Sequence, residues 1–85
     1  MKKMLNTLYV STQGLYLSKE GETMVATLKG EKVSQIPLLN LSGIVCLGNV
    51  LCSPFLLGEC ATRHIQISFL TANGRFLARE QDGWN

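Results

Sequence analysis

One cysteine and the only histidine of the chain have the spacing that thiol chemistry would need. Cys60 and His64 stand four residues apart, so on a helix the imidazole would lie beside the thiol and could polarise it. No third residue is in view to orient the imidazole, and packing of both side chains beneath a sheet is the favoured interpretation. A thiol enzyme stays a minor hypothesis, to be rejected if iodoacetamide labels Cys60 no faster at neutral pH than a model thiol.

The other polar residues predict neither a metal site nor a phosphate cradle. The cysteines lack the close pairing that is typical of zinc sites, and no stretch matches GxxxxGK followed by Ser or Thr. The carboxylates fall in or beside turns, on a helix or near the end of the sequence, where such groups are usually solvated: Glu20, Glu22, Glu31, Glu59, Glu80 and Asp82. We expect no cofactor in this chain and no complete catalytic site, so that it is not an enzyme by itself.

Composition favours a domain whose surface meets a partner. Apolar residues make up 46% of the 85 residues and charged ones 16%, whereas about a quarter of an average soluble domain is charged. The net charge of +2 permits a nucleic-acid role without arguing for one.

Targeting signals are not evident in the sequence. Lys2 and Lys3 resemble the start of a signal peptide, but polar residues interrupt the stretch that follows, and no apolar run approaches the ~20 residues that span a bilayer. The cysteines at 46, 52 and 60 are odd in number and lie in apolar surroundings, which is typical of reduced thiols. We expect a cytoplasmic protein without membrane contact.

Short β-prone runs separated by turn residues predict strands over most of the chain. The first four are expected to form an antiparallel meander, at residues 7–11, 15–18, 23–28 and 32–36. The unbroken apolar run inside 43–48 predicts a central strand buried on both faces. Asn73, followed by a glycine, predicts a hairpin between strands at 65–69 and 75–79.

Ser53 and Pro54 predict the start of a helix over 54–63, because serine can cap the first free amides and proline there loses no hydrogen bond. Its apolar face is expected to contain Leu57, Cys60, Ala61 and His64. The predicted fold class is α+β, mostly β, an antiparallel meander and hairpins packed with one short helix. Residues 1–79 form one β-rich domain in this interpretation, and 80–85 a tail or the truncated start of a linker.

An ordered string of short motifs adds to this interpretation. They are LNTLYV at 5–10, IPL at 36–38, LSGIVCLG at 41–48, SP at 53–54, CA at 60–61, IQISFLT at 65–71 and NGRFLAR at 73–79. Together they resemble the N-terminal β-domain of the CRISPR-associated adaptation endonuclease, the integrase subunit that inserts new spacers, in the version found with type I-C systems. The resemblance extends from about residue 4 to residue 79.

The resemblance implies a division of labour between two domains. Members of this family are several times longer, and a Glu, a His and a second acid of their helical domain bind Mn²⁺ or Mg²⁺ for attack by a DNA 3′-hydroxyl. None of those positions exists here, and His64 stands where relatives often have glycine. The resemblance therefore implies the dimerisation and DNA-platform domain of a metal-dependent endonuclease and integrase, which acts in adaptive immunity to phage and plasmids.

The resemblance also implies the partners: a second copy of the β-domain, a small ferredoxin-like adaptation subunit and double-stranded DNA. The exposed cations most able to contact that DNA are Lys29, Lys32, Arg75 and Arg79, although a wet strand edge is the favoured interpretation of the two arginines. The alternative is a stand-alone small β-rich protein-binding module without catalytic activity. A stop codon after Asn85, with no helical domain downstream, would favour that alternative.

Overall fold

Two mixed sheets and one helix form the structure, a computed structural model that describes residues 1–73 and 76–79. The helix is α1 (Pro54–Thr62). The strands are β1 (Lys2–Met4), β2 (Thr7–Val10), β3 (Leu15–Glu20), β4 (Thr23–Leu28), β5 (Glu31–Pro37), β6 (Gly43–Leu47), β7 (Val50–Cys52), β8 (Gln66–Leu70) and β9 (Phe76–Arg79). The predicted class, α+β and mostly β, is confirmed. The predicted tail at 80–85 lies outside the described residues.

The five-stranded sheet has the order β1-β2-β6-β8-β9. β6 is its central strand, as predicted, and pairs in parallel with β2 on one side and β8 on the other. Its two faces differ, however, because Ile44 and Cys46 are fully buried whereas Val45 is only half-buried. The predicted hairpin is present as the antiparallel pair β8 and β9, and the glycine of its predicted turn lies outside the described residues.

The four-stranded sheet has the order β5-β4-β3-β7. The predicted meander is correct for β3, β4 and β5, but the prediction that β2 continues it was wrong. The chain leaves the first sheet after Val10 and enters the second at Leu15, and Gly14 N–H donates to the carbonyl of Asn49 over 2.7 Å at this crossing. Gln13 fixes the same crossing, since its side chain donates to the carbonyl of Leu47 and accepts from the amide of Asn49.

The core lies between the two sheets and is closed at one end by α1. Alternate residues of the inner strands supply it, which is the period of two that a half-buried strand requires. The fully buried large side chains are Leu15, Leu17, Met24, Leu38, Ile44, Leu56, Ile65, Ile67, Val10, Cys46 and Cys60. The core thus joins both sheets to the helix.

The helix begins as predicted, since Ser53 Oγ accepts the amide hydrogen of Leu56 over 3.1 Å. Its buried face is different from the prediction: Leu56 and Cys60 are buried, whereas Ala61 and His64 are exposed. The helix has nine residues and contacts β3 and β8. Buried side chains one turn apart are therefore enough to pack it against the two sheets. The predicted buried face of the helix was displaced by about one residue towards the C-terminus.

The helix ends in a left-handed residue. His64 has φ +59°, and two amides close the last turn, His64 N–H on the carbonyl of Ala61 and Ile65 N–H on the carbonyl of Cys60. This is the Schellman arrangement, in which glycine is the preferred left-handed residue. Glycine would therefore fit this position without strain.

Candidate nucleic-acid interface

Two of the four predicted DNA-contacting cations lie on one hairpin. Lys29 occupies the turn between β4 and β5, and Lys32 lies near the start of β5. Both are exposed. Arg79 is the last residue of β9, opposite Ser68 in the register, and Arg75 lies outside the described residues.

The structure separates Arg79 from the two lysines. β5 is an edge of the four-stranded sheet and β9 an edge of the five-stranded sheet. Met1 and Lys3 line a cavity together with Val33 and Ser34 of β5, so the other edge of the five-stranded sheet, β1, faces β5. Lys29 and Lys32 therefore lie beside β1, and Arg79 lies across the molecule from them.

Two further cations complete a group that the sequence interpretation missed. Lys2 and Lys3 form most of β1, are exposed, and lie at the edge that faces β5. We call Lys2, Lys3, Lys29 and Lys32 the lysine rim. A strand of three residues has too short a pattern to be recognised in the sequence, and Lys2 and Lys3 drew attention only as a possible signal-peptide start.

The lysine rim lies near the open edge between the two sheets, where Lys3 lines a cavity. The cavity there has a volume of about 470 Å³, and its lining residues are Met1, Lys3, Leu8, Thr12, Leu15, Leu28, Val33, Ser34 and Ile36. Lys3 is the one charged side chain in that lining, while Lys29 follows Leu28 and Lys32 precedes Val33 in the chain. Lys3 thus places one ammonium group at the side of an apolar cavity.

The charges of the rim are available to an anion. Within residues 1–73 and 76–79, Lys2, Lys3 and Lys29 make no ion pair. Lys32 Nζ lies 3.4 Å from a carboxylate oxygen of Glu20, and these side chains are 47% and 62% exposed. An exposed pair of this kind contributes ~0–1 kcal/mol, so a phosphate can compete with Glu20 for Lys32.

The proposed thiol pair is not assembled. Cys60 is fully buried in the core, whereas His64 is exposed beyond the end of α1. The two residues were expected on one helix face, but the left-handed turn at His64 takes its side chain out of the helical repeat. The geometry therefore gives Cys60 no support as a nucleophile activated by His64.

A different pair of thiols meets between the sheets. Cys46 Sγ in β6 lies 3.9 Å from Cys52 Sγ in β7, and the two cysteines form no disulfide. The hydrogen bond with Cys46, burial and the nearness of the Cys46 charge raise the pKa of the Cys52 thiol far above its usual range. A thiol in this state is a packing group, because the thiolate is the reactive form.

Two features are absent from the described part of the chain, a cluster of metal-ligating side chains and a membrane-spanning helix. In residues 1–73 and 76–79, no three His, Cys, Asp or Glu side chains come together as a metal site. Over the same residues, no helix is long and apolar enough to cross a membrane.

Comparison of the sequence with protein families gives one match over most of the chain. The model of the family "CRISPR associated protein Cas1" matches residues 8–83. The CRISPR-associated endonuclease Cas1 1 of Chlorobaculum tepidum is 56% identical over 81 residues, which are 95% of this chain and 24% of that protein. The Cas1 2 of Rhodospirillum rubrum is 46% identical over 79 residues, 93% of this chain and 23% of that protein.

Solved structures share the fold at low sequence identity. A partial Cas6-RT-Cas1–Cas2 complex contains a chain with a TM-score of 0.76 and 12% identity, over 86% of this chain and 22% of that one. A TtCas1–DNA complex gives a TM-score of 0.74 and 12% identity, over 93% of this chain and 30% of that one. This chain spans about a quarter of the length of the relatives it matches. On the family match, the chain belongs to the Cas1 family of CRISPR-associated proteins.

Proposed function

We propose that the chain is the N-terminal dimerisation and DNA-platform domain of a Cas1 integrase, which inserts new spacers during adaptive immunity to phage and plasmids. The observation that carries the proposal is the 56% identity to a CRISPR-associated endonuclease over 95% of the chain. A domain of this kind positions DNA and a second copy, and leaves the bond-breaking step to other residues.

The metal chemistry belongs, in this proposal, to the remaining three-quarters of the relatives' length. The donor set in the described residues does not fit Mn²⁺ or Mg²⁺, since the carboxylates are dispersed and no group of three ligands forms. The helical domain of the family would hold the metal. The part played by this chain is electrostatic and structural.

Three partners follow: a second copy of the chain, a small ferredoxin-like Cas2 subunit and double-stranded DNA. Related structures are described as a complex with Cas2 and a complex with DNA, which supports the second and third partners. A protein that meets DNA of the cell and its invaders would work in the cytoplasm.

The lysine rim is the surface of this chain best suited to phosphates. Each lysine that neutralises a phosphate releases condensed counterions, which gives sequence-independent binding that weakens as salt rises. The rim contributes ammonium groups from two sheets, at the β1 edge and on the β4–β5 hairpin, so it presents charge along one side of the molecule. Contacts of the rim with phosphates carry no information about the base sequence, which suits a protein that accepts varied DNA sequences.

Fluorescence anisotropy of a labelled duplex tests this proposal over 25 to 200 mM salt. The double variant Lys29→Gln, Lys32→Gln should bind several-fold more weakly, and its log–log salt slope should fall by about 1 for each phosphate that a lysine no longer neutralises. The matched control, Lys29→Arg with Lys32→Arg, keeps both charges and should retain the affinity.

Equal binding by wild type, the glutamine variant and the arginine variant would contradict a role for the rim. Cleavage of the duplex by the 85-residue chain with Mn²⁺ would contradict the assignment of metal chemistry to another domain. Each result concerns a separate part of the proposal.

A further inference from the structure

The cavity at the open edge between the two sheets has the size and lining of a site for a small apolar molecule. It is the cavity of about 470 Å³ to which Lys3 contributes, and we call it the edge cavity. Leu8 and Leu15 in its lining are each 2% exposed, and Leu28 and Ile36 are half-buried. Concave sites of this volume, lined mainly by apolar side chains with a few polar groups, are typical of small-molecule binding.

The register of β1 directs Lys3 to this cavity. Lys3 stands opposite Leu8 in the antiparallel pair of β1 and β2, and directly opposed residues project from the same face of a sheet. Leu8 belongs to the core, so the stem of Lys3 leaves β1 on the core-facing side, while the residue stays exposed. An inward lysine on an edge strand also deters strand addition, but that role requires no cavity beside it.

Two hydroxyl groups accompany Lys3 in the lining. Ser34 stands opposite the fully buried Ala26 in the pair of β4 and β5, so it too lies on the core-facing side, and Thr12 lies where the chain crosses between the sheets. Within residues 1–73 and 76–79, Lys3 makes no ion pair, and the hydroxyls of Thr12 and Ser34 make no hydrogen bond with the protein. One cation and two hydroxyl donors are therefore available to a ligand.

The lining selects a ligand with one anionic end and an apolar body. Lys3 is the one charged side chain among the described residues that line the cavity, and no carboxylate is among them. An unpaired ammonium attracts an anion, and hydroxyls donate to carboxylate oxygens. A sugar–phosphate chain is polar along its whole length, so the apolar remainder of the lining disfavours it.

We propose that the edge cavity binds a straight-chain fatty acid, with the hydrocarbon chain between the sheets and the carboxylate beside Lys3. Leu8, Leu15 and Ile36 supply apolar contacts, and Thr12 and Ser34 supply further donors. This site goes beyond the proposed DNA surface, because it requires an apolar ligand and stands whether or not the lysine rim binds a duplex.

Nuclear magnetic resonance titration of the isotope-labelled 85-residue chain with octanoate and decanoate, each below its micelle concentration, tests the proposal. Amide shifts should saturate and should be largest in β1 and β5. Each buried methylene gives about a fourfold gain in affinity, so decanoate should bind about 15-fold more tightly than octanoate. Octan-1-ol serves as the neutral ligand of the same chain length as octanoate.

Variants of Lys3 test the carboxylate end. Lys3→Gln should weaken octanoate binding about fivefold, the upper end for an exposed ion pair, and should leave the affinity for octan-1-ol unchanged. Lys3→Arg keeps the charge and should retain octanoate. The matched control is Lys19→Gln, because Lys19 is exposed on β3 and lies outside the cavity lining, and it should change neither affinity.

A variant that fills the cavity tests the apolar end. Ser34→Phe places a ring on the core-facing side of β5 and should abolish binding of octanoate and of octan-1-ol. Phenylalanine is favoured in strands, and circular dichroism checks that the variant folds. If it does not fold, Lys3→Gln and Lys3→Arg still decide the result, because Lys3 is exposed.

Affinity that rises with chain length, together with a loss confined to octanoate in Lys3→Gln, supports the proposal. Decanoate without saturable shifts overturns it, as does equal octanoate binding by wild type and Lys3→Gln. An equal loss in Lys19→Gln would indicate attraction by net charge alone and would also overturn it. Shifts of the same amides on dilution without ligand would assign the cavity to a second copy of the chain, against the proposal. These outcomes leave the anisotropy test of the lysine rim, which uses Lys29 and Lys32, unaffected.

Discussion

His64 occupies a backbone conformation that disfavours its own side chain. At φ +59°, a residue with a Cβ is strained by roughly 1 kcal/mol, whereas glycine is not. His64→Gly should therefore raise the free energy of unfolding by about 0.5–1 kcal/mol, as measured by urea denaturation. His64→Ala keeps the Cβ and should give no gain, and a stabilising alanine variant would contradict the explanation by strain.

The Cys52 thiol gives the protein a pH dependence in alkaline solution. Its pKa in the folded state is raised above the ordinary value of 9.0, so the folded state holds the proton more tightly than the unfolded state. The contribution of Cys52 to stability is full below pH 9 and is lost as the pH rises further, by at most about 1.4 kcal/mol per pH unit.

Urea unfolding at pH 7, 8, 9 and 10 measures this effect. The difference in stability between wild type and Cys52→Ala should shrink from pH 9 to pH 10, because alanine has no proton to lose. Between pH 7 and pH 8 the difference should stay constant. A difference that is unchanged up to pH 10 would count against the raised pKa.

A site residue can be predicted from the sequence when a local feature such as a turn exposes it, and not when its place depends on strands that are far apart in the sequence. Lys29 and Lys32 could be proposed from the sequence because they flank a glycine turn, and turn residues are exposed. Lys2 and Lys3 could not be joined to them, since the only link is the approach of β1 to β5 in space. The pairing of Cys46 with Cys52 was missed for the same reason, although their positions are only six apart in the sequence.

At the scale of the helix, Ser53 is the residue that fixes where α1 begins. Its Oγ accepts from the buried amide of Leu56, so Ser53→Ala should cost about 1 kcal/mol of stability, in the range measured for N-caps. Thr62→Ala at the other end is the control, because its hydroxyl bonds the carbonyl of Gly58, which is already within the helix. Thermal melting of both variants would show the contrast, and equal losses would contradict the capping role.

The elements that form through local contacts were the predictable ones. The turns with positive-φ Gly21 and Gly30 close β3, β4 and β5, and the sequence contains those glycines at strand spacing. The parallel pairing of β2 with β6 joins residues 36 apart, such as Leu8 and Ile44, and no local pattern encodes it. The three-residue strand β7 depends on β3 for its existence, and it too was missed.

On the scale of the whole molecule, the lysine rim lies at one side of the four-stranded sheet, because it includes residues of the edge strand β5. The molecule measures 29 × 27 × 26 Å.

The position of β6 between β2 and β8 also sets an order in time. The meander of β3, β4 and β5 can close once Pro37 has left the ribosome, since it needs only two tight turns. In the larger sheet, β6 gains its second neighbour only after residue 70, the last of β8, has been synthesised, and pairing across long sequence separations is slow. Met24 and Ala26 are fully buried in the folded protein. During translation they face water for as long as only the meander of β3, β4 and β5 has formed. In this interval the nascent chain is most exposed to aggregation and most in need of a chaperone.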